Sequence, residues 1–117
     1  MHYNKQVKSY SLSSNPVFKL YTIFLYGEEN NRTPLVARLY FELDSKTSLT
    51  PHRVESGVPV ISYYQWEWPR IVDLLRNENP LWFWAVISDD GNIANASLGT
   101  RGLEPVGEGE ITNPNIV

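Results

Sequence analysis

Apolar and polar residues alternate along Leu35 to Leu43: Leu35, Ala37, Leu39, Phe41 and Leu43 fall on one side of an extended chain, Val36, Arg38, Tyr40 and Glu42 on the other. A period of two predicts a strand with one face in the core and the other largely wet. The preceding run, Val17 to Tyr26, is apolar on both faces, with Phe18, Leu20, Phe24 and Tyr26 on one and Val17, Tyr21, Ile23 and Leu25 on the other. Such a run reads as a strand covered on both sides. Gly27 and the polar stretch Glu28 to Thr33 separate the two runs, which makes them a hairpin with a long loop.

A loop from Asp44 to Gly57 leads to a short strand, Val58 to Tyr64. A helix starts between Gln65 and Pro69, because proline fits a first helical turn whose N–H would have no partner in any case. Trp68, Ile71, Val72 and Leu75 recur at helical spacing, and Asn77 to Pro80 ends the element after about ten residues.

The apolar run Leu81 to Ile87, the pair Asp90-Gly91 and the alternating stretch Ile93 to Leu98 predict a second hairpin with a two-residue type I′ turn. In that register Ser88 faces Ile93, Ile87 faces Ala94, Val86 faces Asn95, Trp84 faces Ser97 and Trp82 faces Gly99. One face is then wholly apolar (Phe83, Ala85, Ile87, Ala94, Ala96 and Leu98) and seats the helix stripe. The other carries Trp82, Trp84 and Val86 opposite Gly99, Ser97 and Asn95. One short helix cannot cover both faces of a sheet of four or five strands. The aromatic face therefore needs another cover: the N-terminal segment with Tyr3 and Tyr10, a second copy of the chain, or a ligand.

Composition narrows the choice. The 117 residues suit a single domain, 1–117, with flexible ends at 1–15 and 105–117, and 13% of them are aromatic. The chain has no cysteine, which removes disulfide scaffolds, thiolate metal sites and cysteine nucleophiles. It has no apolar run long enough for a membrane helix and opens without an apolar leader, so a soluble, cytoplasmic protein is expected. Net charge is −3 and the ten basic residues are scattered, which argues against nucleic acid as a partner.

Candidate chemistry is thin. His2 and His52 lack the spacing of metal ligands, no Gly-x-Ser-x-Gly elbow occurs, and the carboxylates of Asp89 and Asp90 are explained by the turn. Gly99-Thr100-Arg101-Gly102 is the best anion-binding candidate, through backbone N–H groups near Gly99 and Gly102 and the guanidinium of Arg101, although no helix follows it. No cofactor or metal is implied.

The expected fold is α+β: an antiparallel sheet of about four to five strands, ordered hairpin, short strand, helix, hairpin, with one short helix packed on one face. The expected function is non-enzymatic: a self-associating protein-interaction module, a homo-oligomer using the face around Trp82, Trp84, Val86, Tyr21, Asn95 and Ser97. The alternative is a binding module for single-stranded nucleic acid or a small sugar or aromatic ligand on the same face.

Overall fold

The computed structural model describes residues 1–15 and 20–100. Along them run β1 (His2–Val7), β2 (Ser9–Asn15), β3 (Leu20–Tyr26), β4 (Leu35–Glu42), β5 (Arg53–Glu55), β6 (Val58–Tyr64), the 3-10 turn Gln65–Glu67, α1 (Trp68–Asn77), β7 (Leu81–Ile87) and β8 (Ile93–Gly99). The α+β class holds, but the strands form two sheets where the sequence suggests one. A three-stranded sheet has the order β1-β7-β8, and a five-stranded sheet the order β2-β3-β4-β6-β5. Pairing is antiparallel except between β4 and β6.

The division arises at the N-terminal segment, to which the sequence reading gave no element. Residues 2–15 are one extended run that changes partner at Lys8: Val7 pairs with Leu81 of β7, and Ser9 with Tyr26 of β3. The Lys8 N–H donates to the Tyr26 carbonyl at 2.7 Å, so the backbone stays satisfied through the corner. On the opposite side Val54 N–H donates to Gly91 O at 3.0 Å and Ile93 N–H to His52 O at 3.3 Å, around a bridge between Arg53 and Asn92. The two sheets are thus joined along both sides, as in a flattened barrel.

Between them lies one core. Ile23, Leu25, Leu39, Phe41 and Ile61 of the larger sheet share a buried cluster with Leu81, Phe83, Ala85, Ile87 and Leu98 of the smaller. Tyr3 spans the gap: its ring lies edge-on to Phe83 at 6.0 Å and its hydroxyl donates to the Val36 carbonyl at 2.8 Å. Burial pushes the Tyr3 phenol above its ordinary pKa. Helix α1 closes the core with Ile71, Val72 and Leu75, and Pro69 sits in its first turn as expected. Trp68 meets Phe41 edge-on at 4.9 Å and Tyr21 at 5.7 Å, so the stripe also packs on the five-stranded sheet rather than on the β7–β8 hairpin alone.

The β7–β8 turn departs from the expected type I′, which needs both central residues at positive φ. Gly91 is there at 87°, but Asp90 is not. Gly91 N–H donates to Ser88 O, and the Asp90 carboxylate accepts from Asn92 N–H and the Ser88 hydroxyl, which ties the turn from within. A bulge follows: Ile87 pairs with Ile93, while Val86 keeps the expected partner Asn95. Ile93 therefore enters the core and Ala94 is exposed, the reverse of the expected placement. Because an L side chain at Gly91 would be strained, Gly91→Ala is expected to cost about 1–2 kcal/mol in a urea titration.

Candidate functional site

Period-two alternation on three adjacent strands builds the outer face of the smaller sheet. β7 turns Leu81, Phe83, Ala85 and Ile87 inward and leaves Trp82, Trp84 and Val86 outside. On one flank β1 places Gln6 beside Trp82, Asn4 beside Trp84 and His2 beside Val86. On the other, β8 places Gly99, Ser97 and Asn95 in the same three rows. None of these nine positions carries a lysine, arginine, aspartate or glutamate, although such residues make up 20% of the chain. Trp84 stands at the centre, half-buried, between Asn4 and Ser97. Val86 is 37% exposed.

The structure thus gathers five of the six face residues singled out from sequence: Trp82, Trp84, Val86, Asn95 and Ser97. Tyr21 is the correction. It lies on β3 in the other sheet, pairs with Phe41 and turns its ring to Trp68 inside the fold. The N-terminal segment does not lie across the face; it extends it sideways as a third strand, with Tyr3 pointing into the core. His2, Asn4 and Gln6 are the residues that sequence reasoning missed, because Lys5 between Tyr3 and Val7 interrupts the apolar alternation that would have marked the strand. Trp84, in the middle row of the middle strand, is the ring on which a ligand argument rests. Arg101 and Gly102 of the anion-binding candidate lie outside the described residues, and Gly99 belongs to β8 opposite Trp82.

A second polar cluster lies on the outside of the five-stranded sheet. Continued, the ladder of β5 and β6 would pair His52 with Ile61 and then Pro51 with Ser62, but Pro51 has no N–H, and its carbonyl accepts from Arg53. The imidazole of His52 fills the gap, its Nδ1 accepting the Ser62 N–H at 3.0 Å. Burial and the neighbouring Arg53 guanidinium hold the His52 pKa below its ordinary value, against an opposing pull from Glu42. For Glu42, burial would raise the pKa, but hydrogen bonds from Lys46 and Thr50 outweigh it and the carboxyl is held low. Arg38 donates to the Glu55 carbonyl at 3.1 Å and to the Tyr40 hydroxyl at 3.4 Å, while Arg53 pairs with Glu55 and lies over the Tyr40 ring.

Serine, histidine and a carboxylate meet here, yet in the wrong arrangement for nucleophilic catalysis. Ser62 Oγ is buried, and the lone pair of His52 Nδ1, which a general base would need, already accepts the Ser62 backbone N–H. Tyr63, stacked on Phe41 at 5.3 Å, has its pKa pushed up to about 12, chiefly by burial, and keeps its proton at neutral pH. The described residues hold no group of three metal-ligating side chains. A cleft of about 410 Å³ beside the β1–β2 corner is lined by Lys8, Arg76 and Glu78, charges of both signs.

Comparison of the chain with models of known protein families, with curated proteins and with solved structures finds no match.

Proposed function

We propose that the protein is a non-enzymatic recognition module that binds a small uncharged ligand on the outer face of the three-stranded sheet. The observation that carries this reading is the nine-position face without a lysine, arginine, aspartate or glutamate, centred on Trp84 and bordered by Asn4, Gln6, Asn95 and Ser97. Buried binding surfaces favour aromatics and exclude charges, because a charge taken out of water without a partner is costly. Each flanking side chain offers a hydroxyl or amide that can both donate and accept. Single-stranded nucleic acid fits poorly, since stacking sites for it also hold the backbone with lysine and arginine.

Size separates a ligand from a second copy. Three strands spaced about 4.8 Å apart, with about 3.3 Å per residue along six residues, give a face of about 300 Å². A stable dimer buries about 800 Å² on each partner. The face is less than half of that, which fits a ligand of a few rings better than the self-association expected from sequence.

Sedimentation velocity at micromolar concentration tests the distinction. A monomer is expected for the wild type and for Trp84→Ala alike. A wild-type dimer that Trp84→Ala dissociates would replace this reading with self-association through the same face.

A further inference from the structure

The geometry points to a neutral pyranose chain, a short oligosaccharide of uncharged hexoses, as the ligand of this face, stacked on Trp84 and held by the side chains of the two flanking strands. The inference rests on the recognition reading above and names its ligand class. A pyranose has an apolar C–H face and hydroxyls that radiate around its rim. An indole takes the first, and groups that both donate and accept take the second, because every sugar hydroxyl does both. The smaller sheet offers these features in matching places: Trp84 in the middle strand, Asn4 on one side and Ser97 on the other.

The arrangement also repeats along the strand. One row from Trp84, Val86 presents further C–H surface between His2 and Asn95; in the opposite direction Gln6 and Gly99 flank Trp82. Rows two residues apart are about 6.6 Å apart, so a chain of rings running along β7 would meet a central apolar group with a polar side chain beside it in each row. Asn4, Gln6 and Asn95 carry amides, each with a carbonyl acceptor and two N–H donors. Anionic sugars, phosphates and nucleotides would be desolvated on this face without a lysine or arginine to meet them at any of the nine positions. Arg38 and Arg53, which would suit such ligands, are on the other sheet and engaged with Glu55 and Tyr40.

The full chain is titrated calorimetrically with cellotetraose, maltotetraose and chitotetraose, with tetragalacturonate and an oligothymidylate as charged probes and adenine as an uncharged aromatic probe. Saturable binding of at least one neutral tetrasaccharide is expected, insensitive to added salt, at least tenfold weaker in Trp84→Ala and weakened in Asn4→Ala. Trp84→Phe, which keeps an aromatic face, should retain part of the affinity, and melting curves show whether each variant folds. Absence of binding by all three neutral sugars at millimolar concentration, or binding that Trp84→Ala leaves unchanged, overturns the proposal. Trp84-dependent binding of adenine without any sugar response overturns the sugar assignment alone. No Trp84-dependent binding of any probe overturns both that assignment and the recognition reading.

Discussion

Phe41→Ala is expected to lower the unfolding free energy by about 3–5 kcal/mol, the usual cost of emptying a buried phenylalanine site. Phe41 is fully buried on β4 and is a shared contact of three elements: Tyr63 of β6 stacks on it, Trp68 of α1 meets it edge-on, and Tyr21 of β3 is its cross-strand partner. Its neighbours are rings held by helix and strands together, so the cavity cannot close by a simple rotamer change. Since domains of this size are stable by only about 5–15 kcal/mol, the variant should lose a large part of its stability. In urea the midpoint should fall with little change in slope, which marks a change in stability rather than in the denatured state. Trp84→Ala, on the outer face, should cost far less, and the contrast between the two variants separates the closed core from the proposed contact surface. A loss below about 1 kcal/mol for Phe41→Ala would show that Phe41 is not the centre of the packing described.

Elements with a strong period of their own were readable from sequence. Leu35 to Leu43 alternates so strictly that one side had to be buried, the apolar run Leu81 to Ile87 was marked as a strand by the Asp90-Gly91 pair that follows it, and Trp68, Ile71, Val72 and Leu75 with Pro69 located the helix. The pairing of Trp84 with Ser97 followed from the position of the Asp90-Gly91 turn. It survived a wrong turn type because the bulge near Ala94 offsets the changed turn before Val86 and Asn95 are reached.

Long-range partnership was not readable. Residues 2–15 carry small and polar side chains on edge strands, with few apolar positions to mark a period, and what makes them strands is the pairing offered by β7 and β3. Nothing local states that the run must change sheet at Lys8, yet that change is what splits one expected sheet into two. Tyr21 shows the same gap between parity and place. Alternation correctly puts it with Ile23 and Leu25, but which layer covers that side depends on where α1 docks. Likewise β5 has three residues, too few for a periodic signal, and its hairpin with β6 turns on Ser56 and Gly57, both at positive φ. The candidate face inherits this division. Its central strand and one flank were legible because a tight turn joins them, whereas the other flank, with Asn4 and Gln6, comes from the opposite end of the chain.

His52→Ala is expected to destabilise the protein by about 1–3 kcal/mol at neutral pH and to remove a pH dependence that the wild type shows. The imidazole is the acceptor for Ser62 N–H at the point where Pro51 interrupts the β5–β6 ladder, and the cost follows from leaving that buried N–H without a partner. The same residue's carbonyl accepts from Ile93 N–H across the join between the two sheets, so loosening residue 52 also weakens the barrel's second side. Nδ1 can accept only while it is unprotonated. The folded-state pKa of His52 is depressed, so the unfolded chain takes up a proton first as pH falls below about 6.5, and stability declines from there until the folded-state pKa is passed. Glu42 acts in a separate window: its folded-state pKa is also lowered, and its contribution fades at more acidic pH, below the ordinary carboxylate range. Urea midpoints measured from pH 7.5 to pH 5 should therefore fall in the wild type and fall less in His52→Ala, while both decline together below pH 4.5. Parallel curves for the two proteins across the first interval would show that the Ser62 N–H to His52 bond does not govern the closure of this side of the fold.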